Sequence, residues 1–144
     1  MLHEPSPDSF RHEDRLSARI AFPIIAAMGI AAAQAGTLDI KSASIGELQD
    51  AYAHGLTSEK VVAAYLERLR AYDKQGPATN AVITLNTHAL ADARKLDAER
   101  KGGKTRGPLH GVPVVLKDNF DTADLPTTEG SQLLAGSVPP DDAF

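Results

Sequence analysis

Between Ser42 and Arg100 the apolar positions recur at helical spacing, broken once by a short β-branched run. Ile45, Leu48 and Tyr52 share one face behind Ser42 or Ser44, either of which can cap the helix, with Glu47 in its first turns and Gly55 as its stop. A second helix opens at Thr57-Ser-Glu-Lys60, where Thr57 or Ser58 can accept the unpaired amides of the first turn. Val61, Tyr65, Leu69 and Tyr72 form its stripe, Val62 and Leu66 widen it, and Gly76-Pro77 ends it. Such a stripe is core packing. Ala81-Val-Ile-Thr-Leu85 predicts a strand. Asn86 or Thr87 then caps a third helix running to about Arg100, with Leu90, Ala93 and Leu96 inward. After the basic loop Lys101–Pro108 comes Val112-Pro-Val-Val-Leu116, an unbroken apolar run that predicts a strand covered on both faces. Pro113, lacking an amide donor, belongs near its start or at an edge. Beyond Asp121 the chain predicts loop, with one short helix around Leu133-Leu-Ala135. The order of elements points to a mixed α/β layered fold.

The first 35 residues follow another pattern. Arg15 and Arg19 precede a charge-free stretch, Ile20 to Ala33, and Ala33-Gln34-Ala35 offers a small-x-small cleavage site. This predicts a signal peptide over residues 1–35 and export to the periplasm or outside the cell. The alternative is a buried N-terminal helix or an uncleaved anchor, and without processing the expected location is cytoplasmic. Stable membrane insertion is not expected, because a spanning helix needs ~20 apolar residues.

Composition removes several classes. The 144 residues carry 15 Lys and Arg against 19 Asp and Glu, a formal net charge of -4, which opposes nucleic-acid binding. The absence of cysteine excludes disulfide scaffolds, thiolate metal sites and a thiol nucleophile. Gly103-Lys-Thr105 is no phosphate loop, since Ala98 stands where the first glycine belongs and Pro108 follows where a helix should start. Neither Gly-x-Ser-x-Gly nor Ser-x-x-Lys occurs. The five histidines make no His-x-x-x-His pair, so His110 reads as a backbone hydrogen-bonding residue and no metal or other cofactor is expected.

What remains is Lys117, at the end of the second predicted strand and followed by Asp118 and Asn119. A lysine enclosed by apolar neighbours loses solvation of its charged form, and a neutral amine can act as general base. The competing reading is a strand-end lysine paired with Asp118 or another carboxylate. Strand alternation sends Asp118 to the side opposite Lys117.

The run from Gly107 through Lys117-Asp-Asn to Thr127-Thr-Glu-Gly-Ser131 strongly resembles the early segment of the amidase signature family. Leu133-Leu-Ala-Gly-Ser137 and Pro139-Pro-Asp-Asp-Ala143 continue the likeness, and Thr57–Arg70 and Asn80–Ile83 extend it backward. The resemblance implies a mixed β-sheet core flanked by helices, of which residues 36–144 are the N-terminal part, incomplete in this chain. It implies amide hydrolysis through a Ser–cis-Ser–Lys triad, acting on a small-molecule amide. Lys117 matches the catalytic lysine. Both serines belong to a downstream Gly/Ser-rich motif that is missing here, and Ser131 and Ser137 match non-catalytic positions. The expectation is an amidase segment carrying only the base and inactive alone. The alternatives are an exported scaffold or binding module and a glutamine-hydrolysing amidotransferase subunit.

Overall fold

The computed structural model describes residues 19–21 and 37–144. Most of the expected signal peptide, including its apolar run beyond Ala21 and the cleavage site, lies outside the described residues. The chain divides after Gly55 into two compact units.

In the first unit β1 (Arg19–Ala21) pairs antiparallel with β2 (Thr37–Asp39), Ile20 opposite Leu38. The amides of Ser42 and Ala43 fold back onto the Asp39 carbonyl at 3.2 and 3.0 Å, turning the chain into α1 (Ile45–Ala53), which lies against β2. Ser44 is the cap. Its Oγ accepts from the Glu47 amide at 3.2 Å, and the Glu47 carboxylate accepts from the Ser44 amide at 2.8 Å. Both bonds satisfy donors that a helix start leaves unpaired. The Ser44 amide, contributing most, and the Ser44 hydroxyl, which donates to the same carboxylate at 2.8 Å, hold the Glu47 carboxyl below its usual range. Leu48, Ala51 and Tyr52 are buried with Ile40, whereas Ile45 of the expected stripe is exposed.

The second unit is built on α2 (Ser58–Tyr72) and α3 (Ala89–Lys101), packed together. Thr57 caps α2, its hydroxyl accepting from the Lys60 amide at 3.2 Å. Val61, Val62 and Ala93 are buried, while Tyr65, Leu66, Leu69, Tyr72, Leu90 and Leu96 are half-buried. The stripes are therefore covered fully only at the N-terminal end of α2 and at Ala93 of α3. At α3 the expected side-chain cap is replaced. The cap residue is His88, which makes no such bond, and Asn86 instead turns the backbone by accepting from the His88 amide at 2.7 Å.

Neither predicted strand forms. After α2, Asp73 is buried and its carboxylate accepts from the amides of Ala81 and Val82 at 2.7 and 3.2 Å and from the Thr79 hydroxyl at 3.1 Å. Burial raises this carboxyl, but the Lys74 ammonium and these donors outweigh it and hold it below the usual range. The donors that a strand at 81–85 would offer a neighbour are thus partly spent on Asp73. In the second run the Val112 amide closes a turn onto the Leu109 carbonyl at 3.0 Å, and Pro113 has no N–H. A strand needs a hydrogen-bonded neighbour, and among the described residues none lies beside 112–116. Val114, Val115 and Leu116 are exposed rather than covered on both faces, Val115 to 92%. The sheet described is the two-stranded β1–β2 pair, and the mixed sheet expected from the sequence is not present among the described residues. The short helix is a 3-10 turn at Gln132–Leu134, capped by Ser131.

Candidate active site

The segment that carries Lys117 leaves the helices through a buried polar anchor. Asp97 reaches from α3 to the start of α2, where one carboxylate oxygen accepts from the Ser58 amide at 2.8 Å and the other from the Glu59 amide at 3.0 Å. A carboxylate at a helix N-terminus satisfies unpaired amides and faces the positive end of the helix dipole. Arg100 donates to the same carboxylate at 2.8 Å and to the His110 carbonyl at 2.9 Å. Burial raises the Asp97 carboxyl, but the Glu59 and Ser58 amides, the Ser58 hydroxyl and Arg100 lower it further, and it lies below the usual range.

His110 is itself buried and fully engaged. Its Nε2 lies 2.9 Å from the Leu96 carbonyl, and its Nδ1 accepts from the Arg106 amide at 3.2 Å. That pair of partners assigns the neutral tautomer with the proton on Nε2. The expected backbone-bonding role is what the geometry shows. Gly111 then passes so close to α2 that a Cβ would sit 2.1 Å from Ser58 Oγ and 2.6 Å from Arg100 Nη2, with φ at +79°. Only glycine meets both conditions at once. Arg106 pairs with Glu99 on the rim, which lowers the Glu99 carboxyl and raises the Arg106 guanidinium.

Six residues beyond this anchor stands Lys117. It is exposed, and no ion pair engages its ammonium among the described residues. The apolar enclosure expected of a strand-end base is not formed by the described residues, because the run before it is uncovered. Asp118, the suspected counter-ion, is occupied elsewhere. Its carboxylate accepts from the Thr128 hydroxyl, from the Thr128 amide at 3.0 Å and from the Gly130 amide at 3.1 Å. These bonds, the Thr128 hydroxyl foremost, and to a smaller extent the charge of Lys117 hold the Asp118 carboxyl below its usual range despite an opposing desolvation. Lys104 is exposed in its loop. Ser131 caps the 3-10 turn, and the carbonyl of Ser137 accepts from the Thr127 amide at 3.0 Å. Neither hydroxyl is brought to Lys117 by any bond described. Among the described residues no group of three or more His, Asp or Glu could hold a metal, and no helix is long and apolar enough to cross a membrane.

Sequence reasoning singled out Lys117 and passed over Asp97 and Gly111. The Arg100 that follows Asp97 by three residues, and the glycine beside a buried histidine, were the signals that could have found them.

Comparison with known proteins places this architecture. The Amidase family model matches residues 60–144, which hold α3, Asp97, Arg100, His110, Gly111 and Lys117, and the chain belongs to that family. A Schizosaccharomyces pombe protein named as an amidase is 43% identical over 109 residues, covering 74% of this chain and 18% of its own. A glutamyl-tRNA(Gln) amidotransferase component from Streptomyces coelicolor is 41% identical over 107 residues, or 73% of this chain and 21% of its own. The crystal structure of native peptide amidase from Stenotrophomonas maltophilia superposes with a TM-score of 0.67 at 44% identity, covering 70% of this chain and 21% of that one. The chain spans about a fifth of the length of these relatives.

Proposed function

We propose that this segment supplies the general base of an amide hydrolase and that the base is Lys117. The observation that carries the reading is a lysine amine in no ion pair among the described residues, at the end of a segment anchored at His110 and Gly111. In the proposed chemistry the neutral amine takes a proton from a bridging serine, which activates a nucleophilic serine. That serine attacks the amide carbon and expels ammonia or an amine, and water then cleaves the acyl-enzyme. The sequence holds no Gly-Ser-Ser-Gly-like segment to provide the serines. The chain by itself therefore hydrolyses no amide, since base, nucleophile and oxyanion donors act as a unit.

The test is a complete amidase in which residues 57–144 replace the matching segment of the Stenotrophomonas maltophilia peptide amidase. Lys117→Ala should lower turnover by about 10²–10⁴-fold. Lys117→Arg should be nearly as harmful, because guanidinium does not give up its proton. Lys104→Ala is the control and should leave turnover intact. Near-normal turnover in either Lys117 variant would overturn the assignment.

The likeness to the glutamyl-tRNA(Gln) amidotransferase component supports a second reading, glutamine hydrolysis within a larger assembly. Glutaminase activity that emerges only with added partner proteins would favour it. Export remains part of the proposal, resting on the charge-free run Ile20–Ala33. Secreted material with an intact Met1, or retention in the cytoplasm, would count against it.

A further inference from the structure

Lys117 makes no side-chain hydrogen bond or ion pair of its own among the described residues, so the direction of its amine depends on the backbone that carries it. That backbone is held by its neighbours. The Lys117 carbonyl accepts from the Phe120 amide at 3.0 Å, which closes a tight turn over 117–120. Three groups of the turn are then bonded to one distant stretch. The Asp118 carboxylate takes the Thr128 hydroxyl and the Thr128 and Gly130 amides, the Asp118 carbonyl takes the Glu129 amide at 2.9 Å, and the Phe120 carbonyl takes the Thr127 hydroxyl at 3.2 Å. The stretch that answers is itself shaped to do so. Thr128 is buried, and Glu129 holds a φ of 51°, a conformation that side chains other than glycine adopt at a cost and that here aims successive amides at one acid.

We propose that Asp118 is a positioning residue for Lys117, its carboxylate clasping the Lys117–Phe120 turn to Thr127–Gly130 so that the amine of Lys117 is delivered in one direction. The inference rests on the reading of Lys117 as the base. The carboxylate that accepts three hydrogen bonds from Thr128 and Gly130 still attracts the neighbouring ammonium, but makes no ion pair with it. An asparagine cannot replace it. The amide oxygen can keep an N–H of the clasp, but the amide nitrogen only donates and cannot accept from the other.

Two measurements test this. In the 144-residue chain, amide hydrogen exchange is compared for the original sequence, Asp118→Asn, Thr128→Val and Thr128→Ser. Asp118→Asn should speed exchange at Phe120, Thr128 and Gly130 by about tenfold or more, leaving Val61 in α2 and Arg106 beside His110 unchanged. Thr128→Val should do so less, and Thr128→Ser, which keeps the hydroxyl, should restore protection. An unchanged Phe120 amide, or equal acceleration at Val61 and Arg106, overturns the proposal.

The catalytic readout uses the complete amidase described above. Asp118→Asn should lower kcat by about 10²-fold with KM within about twofold, the signature of a displaced group that does not bind substrate. In a Lys117→Ala background the same substitution should cost nothing further, because a residue that acts through Lys117 has nothing left to position. An equal loss in both backgrounds makes Asp118 merely structural and sinks the inference while leaving the base assignment standing. Activity that survives Lys117→Ala sinks the base assignment itself. If the joined enzyme is inactive before any substitution, the exchange result on the chain decides.

Discussion

Two regions of the second unit are built on opposite principles. Around Gly111, Asp97 and His110 are buried, Arg100 is half-buried, and each of these side chains has a partner. From Val112 to Val138 the clasped turns are just as well bonded, yet Val114, Val115, Leu116, Phe120, Leu133 and Val138 lie open to water, Leu133 to 96%. The anchor is complete in itself. The Lys117 segment is a set of hydrogen-bonded turns whose apolar side chains have nothing to pack on among the described residues. Backbone bonding can therefore fix the path of the Lys117 segment without apolar packing around it. The proposed chemistry needs such packing as well, since a general-base lysine depends on exclusion from water.

The sharpest way to break the anchor is Gly111→Ala. A Cβ there collides with Ser58 Oγ and requires a left-handed backbone, so the expected loss is about 3 kcal/mol of unfolding free energy. Urea denaturation followed by circular dichroism measures it. Removing the colliding hydroxyl with Ser58→Gly should recover part of that loss in the double variant, and strict additivity would refute the contact.

Asp97→Ala comes next. It strips the start of α2 of two accepted amides and leaves Arg100 without its carboxylate, for an expected loss of about 2–3 kcal/mol. The pH dependence has a fixed sign. The folded-state carboxyl lies below its unfolded value of ~3.9, so the stabilisation is fully present above that value and is lost as pH falls through the folded one. Asp73 and Asp118 act in the same direction. Asp97→Asn should therefore flatten the decline in stability below about pH 4 without abolishing it. An unaltered acid limb would show that Asp97 is not a source of it.

This contrast also explains what could be read beforehand. Helices α1 and α2 were legible because their signals are local: Ser44 with Glu47, Thr57 with Lys60, and apolar spacing over two or three turns. At α3 the choice of cap failed because Asn86 spends its oxygen on a turn rather than on the helix. The two strands failed for a different reason. β-branched content announces that a segment suits a sheet, but only a neighbour makes it one. At 81–85 a buried aspartate nearby took the first amides, and at 112–116 no neighbour stands among the described residues. Lys117 was singled out by its resemblance to a motif. The residues that hold its segment were not, because Asp97 with Ser58 and Asp118 with Thr128 are joined by tertiary structure over 39 and 10 residues of sequence.

The smallest expected effect sharpens the comparison most, and it comes from Val115→Ser. In the 144-residue chain Val115 is 92% exposed, and its replacement should change unfolding free energy by no more than about 0.5 kcal/mol. It should also reduce self-association, because exposed apolar runs with unpaired backbone are where chains stick to one another. In the complete amidase the same substitution meets the environment expected of a strand covered on both faces. There it should cost about 1.5–3 kcal/mol, the worth of burying a valine side chain, plus the penalty of a hydroxyl without a partner. The paired measurement, urea midpoints of both proteins with and without the substitution, isolates what the surrounding domain adds to the Lys117 segment. A large cost in the complete enzyme and none in the chain would mean that the sheet expected from the sequence assembles around a segment whose turns are already set. A negligible cost in both would leave Val115 at the surface of the complete enzyme too, and the reading of 112–116 as a covered strand would fall.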